Sequence, residues 1–383
     1  VALDGVPLGE VGPYLLEVDA VLGAVDAVVA ELHARTEGNP FFLRELVRHL
    51  QGAPLGAAGG AERIEALNRA TTPQGIRELV RERLRDLSPA TAALLTAAAI
   101  FGQEFDVRLT ARSIGVDVPS ALAALEPAAA TGLVSELGGG RFTFVHLLVR
   151  ASIYDDLPAA RRISGHVAAA TALESGGQAE RRWSELAYHW GEAAVAGHAA
   201  EAVTSALHAA ERSIAVAAHD AAVGYLEQAL AHLGADGDGP RIDRLEAQLR
   251  LAEALTMAGR LDEAEPVFLR SADDARRADR PDLFARAALG LGGDLPSTPP
   301  VNLQAIALVE RALEMHPDPS PLRALLLCRL AERRHRSDPG AARLALLDEA
   351  LALARSLGDD ALLARVMLSR VRALHGPGAM SEM

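Results

Sequence analysis

The sequence has no lysine; all 38 of its basic residues are arginine. A phosphate-binding loop ending in Gly-Lys-Ser/Thr is therefore excluded within these 383 residues, and so is a Schiff-base lysine. Cysteine occurs once, at Cys328, which rules out an intrachain disulfide and a cysteine-based zinc cluster and fits a reducing compartment. Aromatic residues make up 4% of the chain, and β-branched runs are few. Long apolar runs are missing too. The longest uncharged helical run, Leu87 to Gln103, falls short of the roughly 20 apolar residues of a membrane span. The opening "VALDGVPLGE" lacks the basic-then-apolar order of a signal peptide, so no membrane segment and a cytoplasmic location are expected.

What is there is alanine and leucine. Half of the residues are apolar, and most of these are small or unbranched, a composition that favours helices packed closely together. Acids outnumber bases, giving a net charge of −13 that repels nucleic-acid backbones unless a local basic face intervenes. The length predicts two to three domains. The first residue is Val1 rather than methionine, and the chain reads as a piece of something longer.

The expected fold class is mainly α: a helical lid over residues 1–60, a winged-helix-like domain over 61–160, and tetratricopeptide-like helical repeats over 161–383. In the first part, "PLGEVGPYLLE" and "VDAVVAELHART" read as helices, the second with Val25, Val28, Val29 and Leu32 on one face. Gly38 stops it, and a further helix is expected from about Phe41 to Leu50. Residues 52–61 form a Gly/Ala-rich connector. In the second part, Thr72-Pro73 and Ser88-Pro89 are N-cap and first-turn signals. Helices over about 106–113 and 119–130 precede "GLVSELGGGRFTFVH", which alternates on both sides of three glycines as a β-hairpin does. Three helices and a hairpin make the winged-helix order. In the third part, short helices of one pattern begin at Ala222, Ala264, Ala305 and Ala342. These hairpins are longer than a standard tetratricopeptide repeat and must stack on one another to bury their apolar faces.

Several strings, in order along nearly the whole chain, carry a resemblance. "LHARTEGNPFFLRELVRHL", "RERLRDLSPATAALLTAAAIFGQEFD", "RFTFVHLLVRASIYDDLPAARRISGHVAAATALE" and "LAYHWGEAAVAGHAAEAVTSALHAAE" look like segments of signal-transduction ATPases with numerous domains (STAND proteins). The flavour is that of the large ATP-binding LuxR-family transcriptional regulators. The resemblance implies that Gly38, Asn39 and Pro40 line the adenine side of an ATP/ADP pocket, a proline ring offering a flat preformed face. It also implies that His146 senses the nucleotide phosphates, with Arg150 one turn further on. The residues alone leave a plainer alternative open: Gly38-Asn39-Pro40 as a helix stop and restart, Phe41 and Phe42 as lid core, and His146 as a structural histidine. The P-loop core is missing from this chain, so it is expected not to be an enzyme by itself and not to bind nucleotide tightly.

Other chemistry is sparse. The segment 117–136 has no arginine but carries Asp117, Glu126 and Glu136, so no direct DNA binding is expected. No histidine pair has metal-ligand spacing, and no Gly-x-Ser-x-Gly elbow occurs. Trp183, Tyr188 and Trp190 are either partner anchors or the core joining the winged helix to the first repeat. Arg333 and Arg334, in "AERRHRS", form a local basic patch able to dock an acidic peptide or inducer. The expected function is thus the lid, winged helix and sensor of an ATP-dependent regulator whose repeats receive a protein or small-molecule inducer. The alternative is a free-standing repeat scaffold without nucleotide switching.

Overall fold

The computed structural model describes residues 6–18, 26–36, 38, 43, 84–85, 87–177, 179–233, 243–291, 302–334 and 340–374. The helix expected over 41–50, the connector at 52–61 and the Thr72-Pro73 helix start lie outside them, Leu43 excepted. The chain divides into two compact units, Val1–Ala196 and Gly197–Met383, each of which is mainly α.

In the first unit, α1 (Leu8–Val18) packs on α2 (Asp26–Thr36). Val11 and Leu15, four residues apart, put one stripe against Val28, Val29 and Leu32, and all five are buried. Beyond α2 the backbone turns at Gly38 with φ +71°, a conformation that costs a glycine little. The Gly38 carbonyl accepts from the Val6 amide at 2.6 Å, and His33 Nε2 donates to the Val6 carbonyl at 3.1 Å.

Next come α3 (Pro89–Phe101), β1 (Glu104–Asp106), α4 (Val107–Ser113), α5 (Val118–Ala130), β2 (Val134–Gly138), β3 (Arg141–Phe144) and α6 (Leu147–Asp155). The starts of these helices are written in the sequence. Ser88 Oγ accepts from the Thr91 amide at 3.1 Å with Pro89 in the first turn, and Asp117 accepts from the Ser120 amide at 2.8 Å. Asp106 ends β1 and caps α4, accepting from the Arg108 amide at 2.8 Å. The strands form an antiparallel sheet in the order β1-β3-β2, with Phe105 opposite Phe142 and Val134 opposite Phe144. The hairpin turns through Gly138, Gly139 and Gly140, all at positive φ. Phe105, Phe142 and Phe144 are buried together, and they share a core with Leu94, Leu95, Leu125 and Ile153. Burying each Phe is worth about 2–3 kcal/mol. The hairpin stands where it was expected, and β1 is an addition. Finally α7 (Ala159–Ser175) packs on α3, α4 and α8 (Trp183–Ala193).

The second unit is a stack of helical hairpins. It comprises α9 (Ala199–Ala215), α10 (His219–His232), α11 (Arg244–Met257), α12 (Leu261–Arg277), α13 (Pro281–Gly290), α14 (Leu303–Met315), α15 (Pro321–Arg333), α16 (Gly340–Leu357) and α17 (Asp360–Leu374). Each helix packs on the next, and α11, α13, α15 and α17 also pack on one another in succession. Such alternation is that of a tetratricopeptide-like α-solenoid. Alanines bring the backbones close: Ala222, Ala229, Ala264, Ala275, Ala305 and Ala312 are all buried. The expected repeat holds for Ala222, Ala264 and Ala305. In α16 the buried register is Leu347, Ala350 and Ala354, with Ala342 exposed, so the equivalent position is Arg343, one residue later. Here the stretch of small residues in "GAARLALL" concealed the register.

Two helical glycines test this packing. A Cβ on Gly290 would lie 2.3 Å from the ring of Phe268, which is 1% exposed, whereas one on Gly224 would meet nothing within 4 Å. Gly290→Ala should therefore cost about 1–3 kcal/mol by overpacking, and Gly224→Ala should add about 0.5–1 kcal/mol by helix propensity. Urea unfolding of both variants beside the parent chain checks the pair.

Candidate functional site

Of the residues expected at a nucleotide, Gly38 forms the turn tied to Val6, while Asn39 and Pro40 lie outside the described residues. An open groove lined by Leu8, Gly12, Leu16 and Val29 runs between α1 and α2. His146 sits at the joint between β3 and α6. It is the N-cap of α6: its Nδ1 accepts from the Leu148 amide at 3.1 Å, and the residue is 3% exposed. That bond requires an unprotonated Nδ1, so the ring carries its proton on Nε2 when neutral. Any interaction with an added anion is left to Nε2.

Behind α6 lies a polar chain that no sequence motif announces. Tyr154 Oη is 2.9 Å from His166 Nε2, and His166 Nδ1 is 2.9 Å from His189 Nδ1. His166 and His189 are 1% and 2% exposed. Two facing ring nitrogens can bond only if one donates and the other accepts, so a doubly protonated pair is incompatible with this contact. Burial drives both rings toward the neutral form, His166 to about 4 with help from Arg150 and Arg162, and His189 to about 3 with help from His166. Burial also pushes the Tyr154 hydroxyl up to about 12. Aromatic edges close the cluster: Phe101 meets His189 at 5.6 Å between centroids, and Tyr188 meets His166 at 5.3 Å. One chain thereby ties α3, α6, α7 and α8 together.

The three aromatics singled out on α8 divide accordingly. Trp190 is buried, and its Nε1 donates to Glu174 Oε1 on α7 at 2.9 Å. Tyr188 leans on the histidine pair with 45% of its surface exposed, and Trp183 is half-buried. Trp190 is thus core within the first unit.

The second unit carries a ladder of charge across alternate helices. Arg286 of α13 holds Glu253 of α11 bidentately, Nε to Oε1 at 2.6 Å and Nη2 to Oε2 at 2.7 Å, and reaches Glu246 at 2.6 Å. Glu246 also accepts from Arg250 Nε at 3.2 Å, and Arg250 Nη1 reaches Glu211 of α9 at 2.7 Å. Burial would push the Glu246 carboxyl up, but the hydrogen bonds from Arg286 and Arg250 hold it below its usual range. Arg333 donates to the Leu291 carbonyl at the end of α13, and Arg334 pairs with Glu310 of α14. Both arginines of the expected basic patch are thus engaged within the stack. Cys328 is core, its thiol pushed up to about 11 mainly by burial. Among the described residues no group of three His, Cys, Asp or Glu is placed to hold a metal ion, and no helix is long and apolar enough to cross a membrane.

No family model and no curated protein matches the chain. Among solved structures it is similar to a signal transduction ATPase with numerous domains carrying a tetratricopeptide repeat sensor, from Pyrococcus horikoshii. The identity is 14% and the TM-score 0.35, over 98% of this chain and 58% of that one. The chain therefore spans less than two thirds of that protein's length.

Two consequences are measurable. The folded pKa values of His166 and His189 lie below the unfolded value of 6.5, so the unfolded chain binds more protons as pH falls. Stability is fully present above about pH 6.5 and is lost on descent through pH 4 toward pH 3, by on the order of 3 kcal/mol for each ring. Urea unfolding as a function of pH should show this slope, and His189→Gln should flatten it. In the ladder, Arg286→Gln should cost about 1 kcal/mol after allowance for solvent screening. Adding Glu253→Gln should recover part of that loss, and an additive double variant would count against the pair.

Proposed function

We propose that the chain is the lid, winged-helix and repeat-sensor portion of a nucleotide-controlled signalling switch of the STAND class. The observation that supports this most is an order of elements. A helix–strand–helix–helix–strand–strand unit ends in a helix capped by His146, and a stack of hairpins follows. Three of the four strings that resemble that class run, in order, over this unit and the first helix of the stack.

In this reading Gly38, Asn39 and Pro40 face the adenine of ATP or ADP. His146 answers to the phosphates through Nε2, since Nδ1 is committed to the cap of α6. A change at the phosphates then acts directly on the start of α6, and through Tyr154 on α7 and α8. The chain has no lysine for a phosphate loop, so hydrolysis belongs to a P-loop core supplied by other residues. The winged helix acts by packing rather than by reading DNA: α5, in the place of a recognition helix, carries Glu126 and no arginine. The repeats receive a protein or small-molecule inducer, and the output is transcriptional, as in the LuxR-family regulators the strings resemble. The expected setting is the cytoplasm.

The reading frame upstream tests this directly. It should encode a Gly-rich loop ending in Gly-Lys-Ser/Thr, and an upstream stop codon without such a loop would sink the proposal. The purified 383-residue chain should release no phosphate from ATP. A polypeptide that includes the loop should bind ADP, and His146→Ala should weaken that binding by about tenfold.

A further inference from the structure

The corner between α6 and α7 gathers positive charge around one ring. The Arg150 guanidinium carbon lies 4.6 Å from the centroid of Tyr154, and that of Arg162 lies 5.7 Å from the same centroid. Arg150 Nε is spent on the Ala99 carbonyl at 2.9 Å, which leaves its η-nitrogens. Among the described residues no carboxylate lies within ion-pair distance of either guanidinium. Acids are nonetheless close by. Asp155 and Asp156 follow Tyr154 at the end of α6, and Glu192 of α8 acts on the Tyr154 hydroxyl, as does Tyr188.

A second observation points the same way. Arg162 stands beside Arg161 in the first turn of α7, a 17-residue helix with no acid in that turn and no side-chain cap from Pro158. The N-terminal end of a helix is its positive end, so two arginines there are set against the dipole. Cations placed so, in a chain with a net charge of −13, call for an anion.

We propose that this corner binds a phosphate-class oxyanion, held by the η-nitrogens of Arg150 and Arg162 beside Tyr154 at the start of α7. Two guanidinium forks and a helix N-terminus offer more donors than one carboxylate can use, whereas a phosphate presents three oxygens and up to two charges. A phosphate dianion carries twice the charge of one carboxylate to set against the two guanidinium groups. Bound charge here also reaches the histidine pair: both arginines act on His166, and an anion that offsets them raises the affinity of that ring for a proton.

The proposal shares Arg150 with the nucleotide reading, but Arg162, on which its test turns, belongs to it alone. Its failure leaves that reading intact. The test is calorimetric titration of the whole chain with inorganic phosphate, pyrophosphate and ADP at constant ionic strength. Expected is saturable binding of pyrophosphate that weakens by about tenfold in Arg162→Gln and stays unchanged in Arg276→Gln. Arg150→Gln also removes the bond to Ala99 and is prone to unfold, so Arg162→Gln carries the decision. ADP binding tighter than pyrophosphate assigns the phosphate to a nucleotide, and equal affinity assigns it to a free phosphate or diphosphate. Absence of saturation below about 10 mM, or equal binding by Arg162→Gln, overturns the proposal.

Discussion

A helical hairpin faced with alanine cannot bury that face alone, and this constraint organises the second unit. Alanine contributes little buried area per residue, so stability must come from many close helix contacts rather than a few large side chains. The consequence is visible at α11 and α13, where Ala247, Ala252 and Ala254, and Ala285, Ala287 and Ala288, are buried between the charged rungs. Arg286, Glu246, Arg250 and Glu253 are half-buried because alternate helices approach closely, and at that range each must find an opposite charge. The ladder follows from the alanines. It fixes register between neighbours and adds little net energy, since pairs at this exposure are partly screened.

The first unit solves the same problem with different means. It buries four large rings, Phe105, Phe142, Phe144 and Trp190, compared with Phe268 and Phe284 in the second unit, and it tolerates a polar chain in its interior. A buried histidine pair is costly unless both rings stay neutral and bonded, and here Tyr154 and the reciprocal nitrogen contact meet that demand. The arrangement joins four helices through two histidines and a tyrosine, where the ladder of the second unit joins its helices through arginine and glutamate. A proton or an anion therefore has a place to act in the first unit that the ladder does not offer.

What was legible in the sequence was local. Ser88-Pro89, the spacing of Val28, Val29 and Leu32, and the three glycines of the hairpin each fix structure within a few residues, and each stands as expected. What was not legible depends on distance. β1 has three residues, and it is a strand only because β3, 37 positions later, pairs with it. His166 and His189 lie 23 residues apart on separate helices, in no motif, and only the packing of α7 on α8 makes them neighbours. Arg333 and Arg334 looked like a free basic patch because Leu291 and Glu310, their partners, are far away in the chain. The aromatic trio left two readings open, and helical rotation divides it, burying Trp190 and leaving Tyr188 exposed.

The α6–α7 corner brings these threads together. His146 at one end of α6 and Tyr154 near the other are about two helical turns apart, and both are committed through ring or hydroxyl hydrogen bonds. A short helix held at both ends has little freedom to bend, so a displacement of its cap would be carried toward its far end. Release there would break the contact of Tyr154 with His166, and the pair beyond it would have to re-form its donor and acceptor assignment or take up a proton. Arg150 sits between the two ends and is bonded to α3 through Ala99, so such a movement also pulls on the sheet's supporting helix. In this unit, Tyr154 and His166, which feel the neighbouring charges, are also bonded to each other and so help hold α6 against α7.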